Sequence, residues 1–135
     1  MPKNIETCPC GSRQPYAQCC APFHQGDSVA PIAEALMRSR YTAYVLALKD
    51  YLLATWHSTT RPKQLQLDSN TQWLGLKVKA CEAGQIEDQK GTVSFIARYK
   101  IQGKAHRLTE TSRFVKEQGR WFYVDGDIGD NNKKV

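Results

Sequence analysis

The chain has no apolar stretch approaching the roughly 20 residues that a helix needs to cross a bilayer. Its first residues lack the apolar core and small-residue cleavage site of a secretion signal, which predicts a cytoplasmic protein whose thiols stay reduced. A dense run of lysine and arginine is also missing. The formal charge of +6 therefore permits binding to nucleic acid or to an acidic partner without requiring either.

What the N-terminal region does have is two close pairs of cysteines: Cys8, Cys10, Cys19 and Cys20. Two close pairs joined by a short loop each supply one edge of the tetrahedron that Zn²⁺ prefers, with neighbouring sulfurs about 3.8 Å apart. Adjacent side chains diverge in both strands and helices, so Cys19 and Cys20 need a turn. The spacing predicts one zinc ion held by the four thiolates.

Disulfides are the alternative use of these cysteines. A bridge within either close pair would be strained, and a reducing cytosol argues against the other pairings. The spacing of a thioredoxin-type redox motif is absent. His24 could compete as a ligand but ranks below Cys20, because four cysteines already complete a site. Such a closed site has no position for substrate, so the zinc is predicted to be structural. Cys81, alone in a strand-like run, is predicted to be a small core or surface residue.

In the rest of the chain, the spacing of apolar residues changes once, from a helical period to a period of two. After a polar stretch that ends at Pro31, apolar residues recur at helical spacing over residues 32–48. The charged pair Lys49 and Asp50 interrupts this pattern, and a second short helix is predicted to stop before Pro62. A period of two then predicts four strands, within residues 74–80, 93–101, 106–115 and 121–125. Helices followed by an antiparallel sheet form an α+β fold.

One face of the predicted sheet is positively charged. Lys77 and Lys79 alternate with apolar residues that begin at Leu74, and Arg98 and Lys100 do so in the second strand. A basic sheet surface can bind RNA or an acidic protein, although solvated lysines also simply protect strands from aggregation. Nucleic-acid binding through these four residues is one hypothesis.

The third strand places the carboxylate of Glu110 on the same face as Phe114. Two hairpin registers remain open at the turn that ends at Gly119. A two-residue loop sets Phe114 beside Trp121 and Glu110 beside Asp125, a carboxylate pair able to act as general acid and base. A three-residue loop with a left-handed Gly119 moves Trp121 and Asp125 to the opposite face.

The candidates for catalysis are therefore Glu110, Asp125 and His57. Glu110 has a simpler interpretation, an ion pair with one of three arginines: Arg38, Arg40 or Arg113. His57 lies at the end of a predicted helix, where a charged imidazole can satisfy terminal carbonyl groups.

The cysteine region resembles a known motif. Cys-Pro-Cys-Gly-Ser from Cys8, with eight residues between the pairs, is similar to the SEC-C motif, the zinc-binding C-terminal tail of the SecA translocation ATPase. That motif usually ends in Cys-His, whereas this chain has Cys19-Cys20, so the surface around the fourth ligand differs.

The remaining sequence closely resembles the YchJ family of bacterial proteins along the whole chain. Four segments carry this resemblance: Ala-Glu-Ala-Leu-Met-Arg-Ser-Arg-Tyr from residue 33, Tyr-Leu-Leu-Ala-Thr-Trp-His from 51, Ser-Arg-Phe from 112, and Gly-Arg-Trp-Phe-Tyr-Val-Asp-Gly from 119. The resemblance implies a main domain like nuclear transport factor 2, in which a curved sheet wraps around helices.

Three segments are expected: a SEC-C zinc-binding motif at 1–25, a nuclear transport factor 2-like α+β domain at 26–129 and a disordered tail at 130–135. We expect a zinc-binding accessory protein whose knuckle docks on a protein or a ribosome, beside a cavity for a small ligand. The resemblance to the SecA tail implies the export chaperone SecB or the ribosome as partner. The alternative is an enzyme of the isomerase or dehydratase type, because relatives of this fold include such enzymes.

Overall fold

The computed structural model describes residues 7–128, so the predicted disordered tail lies outside the described residues. The elements, in chain order, are a 3₁₀ turn (Tyr16–Gln18), helices α1 (Ala21–His24), α2 (Ala33–Leu46) and α3 (Lys49–Ala54), and strands β1 (Thr71–Ala83), β2 (Lys90–Ile101), β3 (Lys104–Glu117) and β4 (Arg120–Ile128). This order confirms the predicted α+β class. Among the described residues, no helix has the length and apolar character needed to span a membrane.

The break between α2 and α3 falls earlier than the sequence indicates. α2 ends at Leu46 because Ala47 adopts a left-handed conformation, with φ of 61°. The prediction that Lys49 and Asp50 interrupt a helix is wrong, since these two residues begin α3. Asp50 suits the first turn because the positive end of a helix favours a carboxylate.

The four strands form one antiparallel sheet in the order β1-β2-β3-β4. The sheet curves around α2, whose buried side chains Leu36 and Met37 share one apolar cluster with Val93 and Phe95 of β2. Buried cysteines of the N-terminal segment belong to the same cluster. The segment and the sheet domain are therefore joined through one core.

Two bulges in β1 change which of its side chains face that core. The pairing with β2 shifts at Leu74 and again at Lys79, where an extra residue enters the strand. Trp73, Leu76 and Val78 pack on the core, whereas Leu74 is 48% exposed. The prediction that Leu74 lies on the buried face is wrong because the bulge breaks the alternation of faces.

The β3–β4 hairpin has a register that neither sequence alternative describes. Its loop consists of Gln118 and Gly119, both with positive φ (53° and 80°), as a two-residue type I′ turn requires. Phe114 therefore lies opposite Tyr123, and Trp121 is buried at 3% exposure. The three-residue alternative is wrong.

A bulge farther along the same hairpin decides the position of Asp125. The pairing of β3 with β4 skips Val124, so that Arg113 lies opposite Asp125. Asp125 consequently points to the outer face, where its carboxylate accepts a hydrogen bond from Arg113 at 2.6 Å. Glu110 instead lies opposite Ile128. The predicted pair of Glu110 and Asp125 is therefore wrong.

Candidate metal centre and internal cavity

The two cysteine pairs converge on one point. The Sγ atoms of Cys8, Cys10, Cys19 and Cys20 all lie within 4.8 Å of one another. The Sγ atom of Cys19 is 3.6 Å from that of Cys10 and 3.9 Å from that of Cys20. Both distances are close to the edge of a zinc–thiolate tetrahedron, about 3.8 Å. The four thiols therefore fit a tetrahedral metal ion.

Local backbone geometry brings the pairs together. The amide of Cys8 donates a hydrogen bond to the carbonyl of Gln14, which closes a loop around the first pair. Gly11, with φ of 86°, lets the chain turn beneath the sulfurs. Cys19 ends the 3₁₀ turn and Cys20 is the N-cap of α1. The turn that the adjacent cysteines need is thus the junction of two short helices.

The thiols also compete for protons. Desolvation by burial raises the pKa of Cys19 to about 11. The interaction between the neighbouring thiols of Cys10 and Cys20 raises the pKa of Cys20 and lowers that of Cys10. Protonated thiols can thus stabilise one thiolate among them, but four thiolates at this spacing need a cation.

The cysteine segment is packed into the domain. Cys8, Cys10 and Cys20 are at most 2% exposed. On α2, the hydroxyl oxygen of Thr42 lies 3.6 Å from the Cys8 sulfur, and Arg38 donates from Nη1 to the Cys10 carbonyl at 2.7 Å. Helix α2 therefore supports both residues of the first pair.

A second close contact joins the segment to the sheet. A Cβ at Gly11 would lie 2.7 Å from the carbonyl oxygen of Leu76 in β1. Arg38 is held in place by an ion pair with Glu34, one turn earlier in α2, at 2.9 Å. The knuckle, defined as residues 8–20, is thus fixed by α2 and β1 together.

His24 is a link between the knuckle and α2. Its Nε2 donates to the carbonyl of Ser39 at 2.9 Å, and its Nδ1 accepts from the Tyr16 hydroxyl at 2.7 Å. Burial lowers the pKa of this imidazole, which favours the neutral form. Cys81 is exposed, with its Sγ 3.6 Å from a carboxylate oxygen of Glu34, and lies outside the four-cysteine cluster.

A cavity of about 290 Å³ lies between α2 and the concave face of the sheet. Aromatic and aliphatic side chains form most of its wall, among them Trp73, Phe95 and Leu108. Two charged side chains reach it, Arg40 from α2 and Glu110 from β3. Its volume lies at the lower end of the range for small-molecule sites.

Glu110 is held in the cavity by neighbours on the sheet. Its carboxylate accepts hydrogen bonds from the hydroxyl groups of Ser112 at 2.9 Å and Tyr123 at 3.4 Å. Gly126 on β4 provides the room, since a Cβ there would overlap the carboxylate. Of the three catalytic candidates, Glu110 is the one that lines this cavity.

The predicted ion pair of Glu110 with an arginine is wrong for the described residues. Arg38 pairs with Glu34, and Arg113 pairs with the acidic residues of β4. Arg40 lines the same cavity as Glu110 and interacts with it electrostatically, but the two form no ion pair.

Arg40 is the cavity residue whose importance sequence reasoning missed. It is 5% exposed, and its Nη1 donates to the Leu52 carbonyl at 2.8 Å and to the Thr55 hydroxyl at 2.7 Å. The rings of Trp56 and Tyr123 flank its guanidinium at 5.0 and 4.6 Å. The signal was its helical spacing, because apolar residues stand four positions before and after it.

The other two catalytic candidates lie outside the cavity. Asp125 binds Arg113 on the outer face of the sheet. His57 lies beside β4, with Nε2 2.9 Å from a carboxylate oxygen of Glu117 and Nδ1 2.7 Å from the Thr59 hydroxyl. Neither side chain lines the cavity, so neither can act on a ligand bound there.

The predicted basic residues on the sheet are all exposed: Lys77, Lys79, Arg98 and Lys100. Arg107 lies directly opposite Arg98 and adds a charge that the sequence interpretation did not include. The observed hairpin register turns Trp121 and Tyr123 towards the core, so neither ring joins this face. RNA binding there stays a prediction.

Both halves of this architecture occur together in known proteins. The family model described as the YchJ middle NTF2-like domain matches residues 32–126, and the SEC-C motif model matches residues 6–22. The chain belongs to the YchJ family. A UPF0225 protein of Chromobacterium violaceum is 56% identical over 123 residues, covering 88% of this chain and 90% of the relative. A UPF0225 protein of Bordetella parapertussis is 51% identical over 130 residues, covering 94% and 96%.

Two solved structures share the fold of this YchJ-family chain. The solution structure of a SEC-C motif-containing protein from Rhodopseudomonas palustris is 34% identical, with a TM-score of 0.81 over 92% of this chain and 99% of that one. The crystal structure of a SEC-C motif-containing protein from Psychrobacter arcticus is 28% identical, with a TM-score of 0.75 over 93% and 84%. The expected combination of a SEC-C motif and a nuclear transport factor 2-like domain is confirmed.

Proposed function

We propose that the protein is a zinc-binding accessory protein in which Cys8, Cys10, Cys19 and Cys20 hold one structural zinc ion. The observation that carries this proposal is the convergence of four sulfurs within 4.8 Å. A site with four thiolates is closed, so its zinc contributes to folding and does not bind a substrate. With four thiolates and one Zn²⁺, the formal charge of +6 falls to about +4.

Metal analysis of the purified protein tests the zinc site. We expect about one zinc ion per chain, retained in Cys81→Ser because that thiol lies outside the cluster. Protein with intact, reduced cysteines and well below one zinc per chain would overturn this part.

The knuckle is proposed as a docking surface for a protein or a ribosome. Its exposed side chains lie between the two cysteine pairs: Arg13, Gln14, Pro15, Ala17 and Gln18. Their backbone is held by the metal-ligand cluster and by α2, and a pre-organised surface loses less entropy on binding. By analogy with the SecA tail, the partner is SecB or the ribosome.

Pull-down with SecB and co-sedimentation with ribosomes test this docking role. We expect retention of the wild-type protein and loss of binding in Arg13→Glu, which reverses an exposed charge of the knuckle. Lys63→Glu is the matched control, because it reverses an exposed charge in the segment before β1. If neither partner retains the wild-type protein, the proposed docking role is wrong, whereas the proposed zinc site is unaffected.

A second candidate function is the binding of a small molecule in the cavity, including catalysis of the isomerase or dehydratase type. The observation in its favour is the carboxylate of Glu110 in an apolar space of about 290 Å³, where it could transfer a proton.

Mass spectrometry of molecules released from purified protein is the test of this second candidate function. We expect a compound from the wild type that is lost in Ala97→Phe, which fills the cavity from its wall. Leu74→Phe, at an exposed position, is the control. Release of the same compounds from all three proteins would count against the cavity.

A further inference from the structure

Arg40 carries a buried positive charge without a carboxylate partner. Its side chain is 5% exposed, and no acidic side chain within residues 7–128 forms an ion pair with it. Burial lowers the pKa of Arg40, but a guanidinium remains charged at neutral pH. Because a buried charge without a counter-ion is costly, this group favours the binding of an anion.

The contacts of Arg40 orient its guanidinium without using all of its donors. Nη1 donates to the Leu52 carbonyl and the Thr55 hydroxyl, and the Tyr44 hydroxyl interacts with the guanidinium electrostatically. A guanidinium has more N–H groups than these contacts occupy. Arg40 is thus a fixed group with donors to spare at the cavity wall.

Glu110 provides the opposite charge in the same cavity. The hydroxyl groups of Ser112 and Tyr123 hold its carboxylate, while the Tyr123 ring lies against Arg40. Glu110 and Arg40 are therefore oriented by separate contacts and do not neutralise each other by direct contact. Apolar side chains form most of the remaining wall.

We infer that the cavity binds a small zwitterion with an apolar or aromatic body, of the α-amino acid type, with its carboxylate on Arg40 and its ammonium group on Glu110. Glu110 would repel a simple anion, and Arg40 would repel a simple cation. Only a ligand that carries both charges is therefore complementary to both groups. Arginine binds carboxylates through paired hydrogen bonds. A volume of about 290 Å³ is that of roughly ten water molecules, enough for such a ligand. This inference rests on the second candidate function.

Titration of ¹⁵N-labelled protein by NMR tests the inference with three probes that share one aromatic body: L-phenylalanine, 3-phenylpropanoate and 2-phenylethylamine. We expect L-phenylalanine to shift the cavity resonances with an affinity at least about tenfold above that of either singly charged probe. If 3-phenylpropanoate binds as tightly as L-phenylalanine or more tightly, the inference that the ligand is a zwitterion is overturned. The cavity would still be a ligand-binding site. No shifts with any probe up to about 10 mM also overturn the inference. The mass-spectrometric experiment then decides the function of the cavity separately.

Glu110→Gln carries the mutational test, because it keeps the shape of the side chain and removes the charge. Variants of Arg40 are less suitable, since they remove a buried donor that the Leu52 carbonyl and the Thr55 hydroxyl share. We expect Glu110→Gln to lower the affinity for L-phenylalanine about tenfold while 3-phenylpropanoate binds at least as tightly as before. Glu87→Gln, an exposed position outside the cavity, should leave the preference unchanged. An undiminished preference for L-phenylalanine in Glu110→Gln overturns the inference.

Discussion

The knuckle and the cavity lie on different faces of the same helix, α2. They differ in whether their buried polar groups are in contact with one another. Arg38 and Thr42, one turn apart on α2, contact the knuckle, whereas Arg40 and Tyr44, also one turn apart, line the cavity. Residues two positions apart point in nearly opposite directions on a helix. On one side the chain brings its polar groups into contact, and on the other it holds two opposite charges apart.

This difference distinguishes a site that the chain completes by itself from a site that has room for a ligand. The cysteine cluster supplies four ligands, as many as a tetrahedral metal accepts. The cavity instead contains a cation and an anion that do not pair, together with space between apolar walls. We therefore expect changes at the knuckle to act mainly on folding and changes at the cavity to act mainly on binding.

The largest effect is expected from Cys10→Ser. This change removes a fully buried thiol of the proposed zinc site, and the binding energy of a structural zinc ion is part of the folding energy. We expect loss of zinc and of at least about 3 kcal/mol in the free energy of unfolding, measured by metal analysis and denaturant titration. Cys81→Ser should retain both. Full zinc content and unchanged stability in Cys10→Ser would contradict the structural role of the cluster.

A smaller loss is expected from Gly11→Ala, which tests how closely the knuckle packs on β1. The new Cβ would approach the Leu76 carbonyl at 2.7 Å, at a backbone φ of +86°. Gly26→Ala is a matched control, because Gly26 has a similar φ of +82° and open space around it. We expect losses of about 3 and about 1 kcal/mol respectively in the free energy of unfolding. Equal losses in the two variants would show that the contact with β1 is loose.

Glu110→Gln should change the free energy of unfolding by less than about 1 kcal/mol, because the amide oxygen still accepts a hydrogen bond from Ser112. Denaturant titration beside the binding experiment measures this. A destabilisation as large as that of Cys10→Ser would mean that the charges of the cavity serve folding, and the contrast between the two sites would disappear.

The smallest effect is expected on the outer face of the sheet. A variant there gives a reference for the changes in stability expected at the two sites. The hydrogen bond from Arg113 lowers the pKa of Asp127, so Arg113→Gln should let that pKa rise towards its ordinary value of 3.8. A lowered carboxyl pKa stabilises the folded state above the unfolded pKa, and this stabilisation is lost as the pH falls through the folded pKa. Because both groups are exposed, the change in stability should be slight. Carboxyl titration by NMR measures the shift, and an unchanged Asp127 pKa would disprove the assigned cause.

The features that follow from spacing were predictable from the sequence. The two close cysteine pairs predicted a cluster, and the change of apolar period after Pro62 predicted a sheet that follows helices. Each of these predictions depends on a pattern that many residues share, so an error of one position in the pattern does not change the prediction. The antiparallel arrangement of the strands followed in the same way.

Features that depend on one inserted residue were not predictable. The bulges at Leu74 and Val124 reverse the face of the next side chains. A glycine lies close to each bulge, Gly75 and Gly126, but a glycine in a strand does not fix the position at which the extra residue enters. Gln118 has a positive φ that is uncommon for a residue other than glycine, so the hairpin register was hidden as well. One of the two sequence alternatives consequently placed Asp125 beside Glu110, on a face that it points away from.

Helix α2 also limits how this chain can change in length. Each residue turns a helix by about 100°, so one residue inserted between Arg38 and Arg40 would rotate all that follows by that angle. Thr42 would leave the Cys8 sulfur, and Arg40 would leave its cavity, in a single event. Insertions and deletions can accumulate in exposed segments such as residues 58–70, but α2 must keep its number of residues for either site to keep its partners.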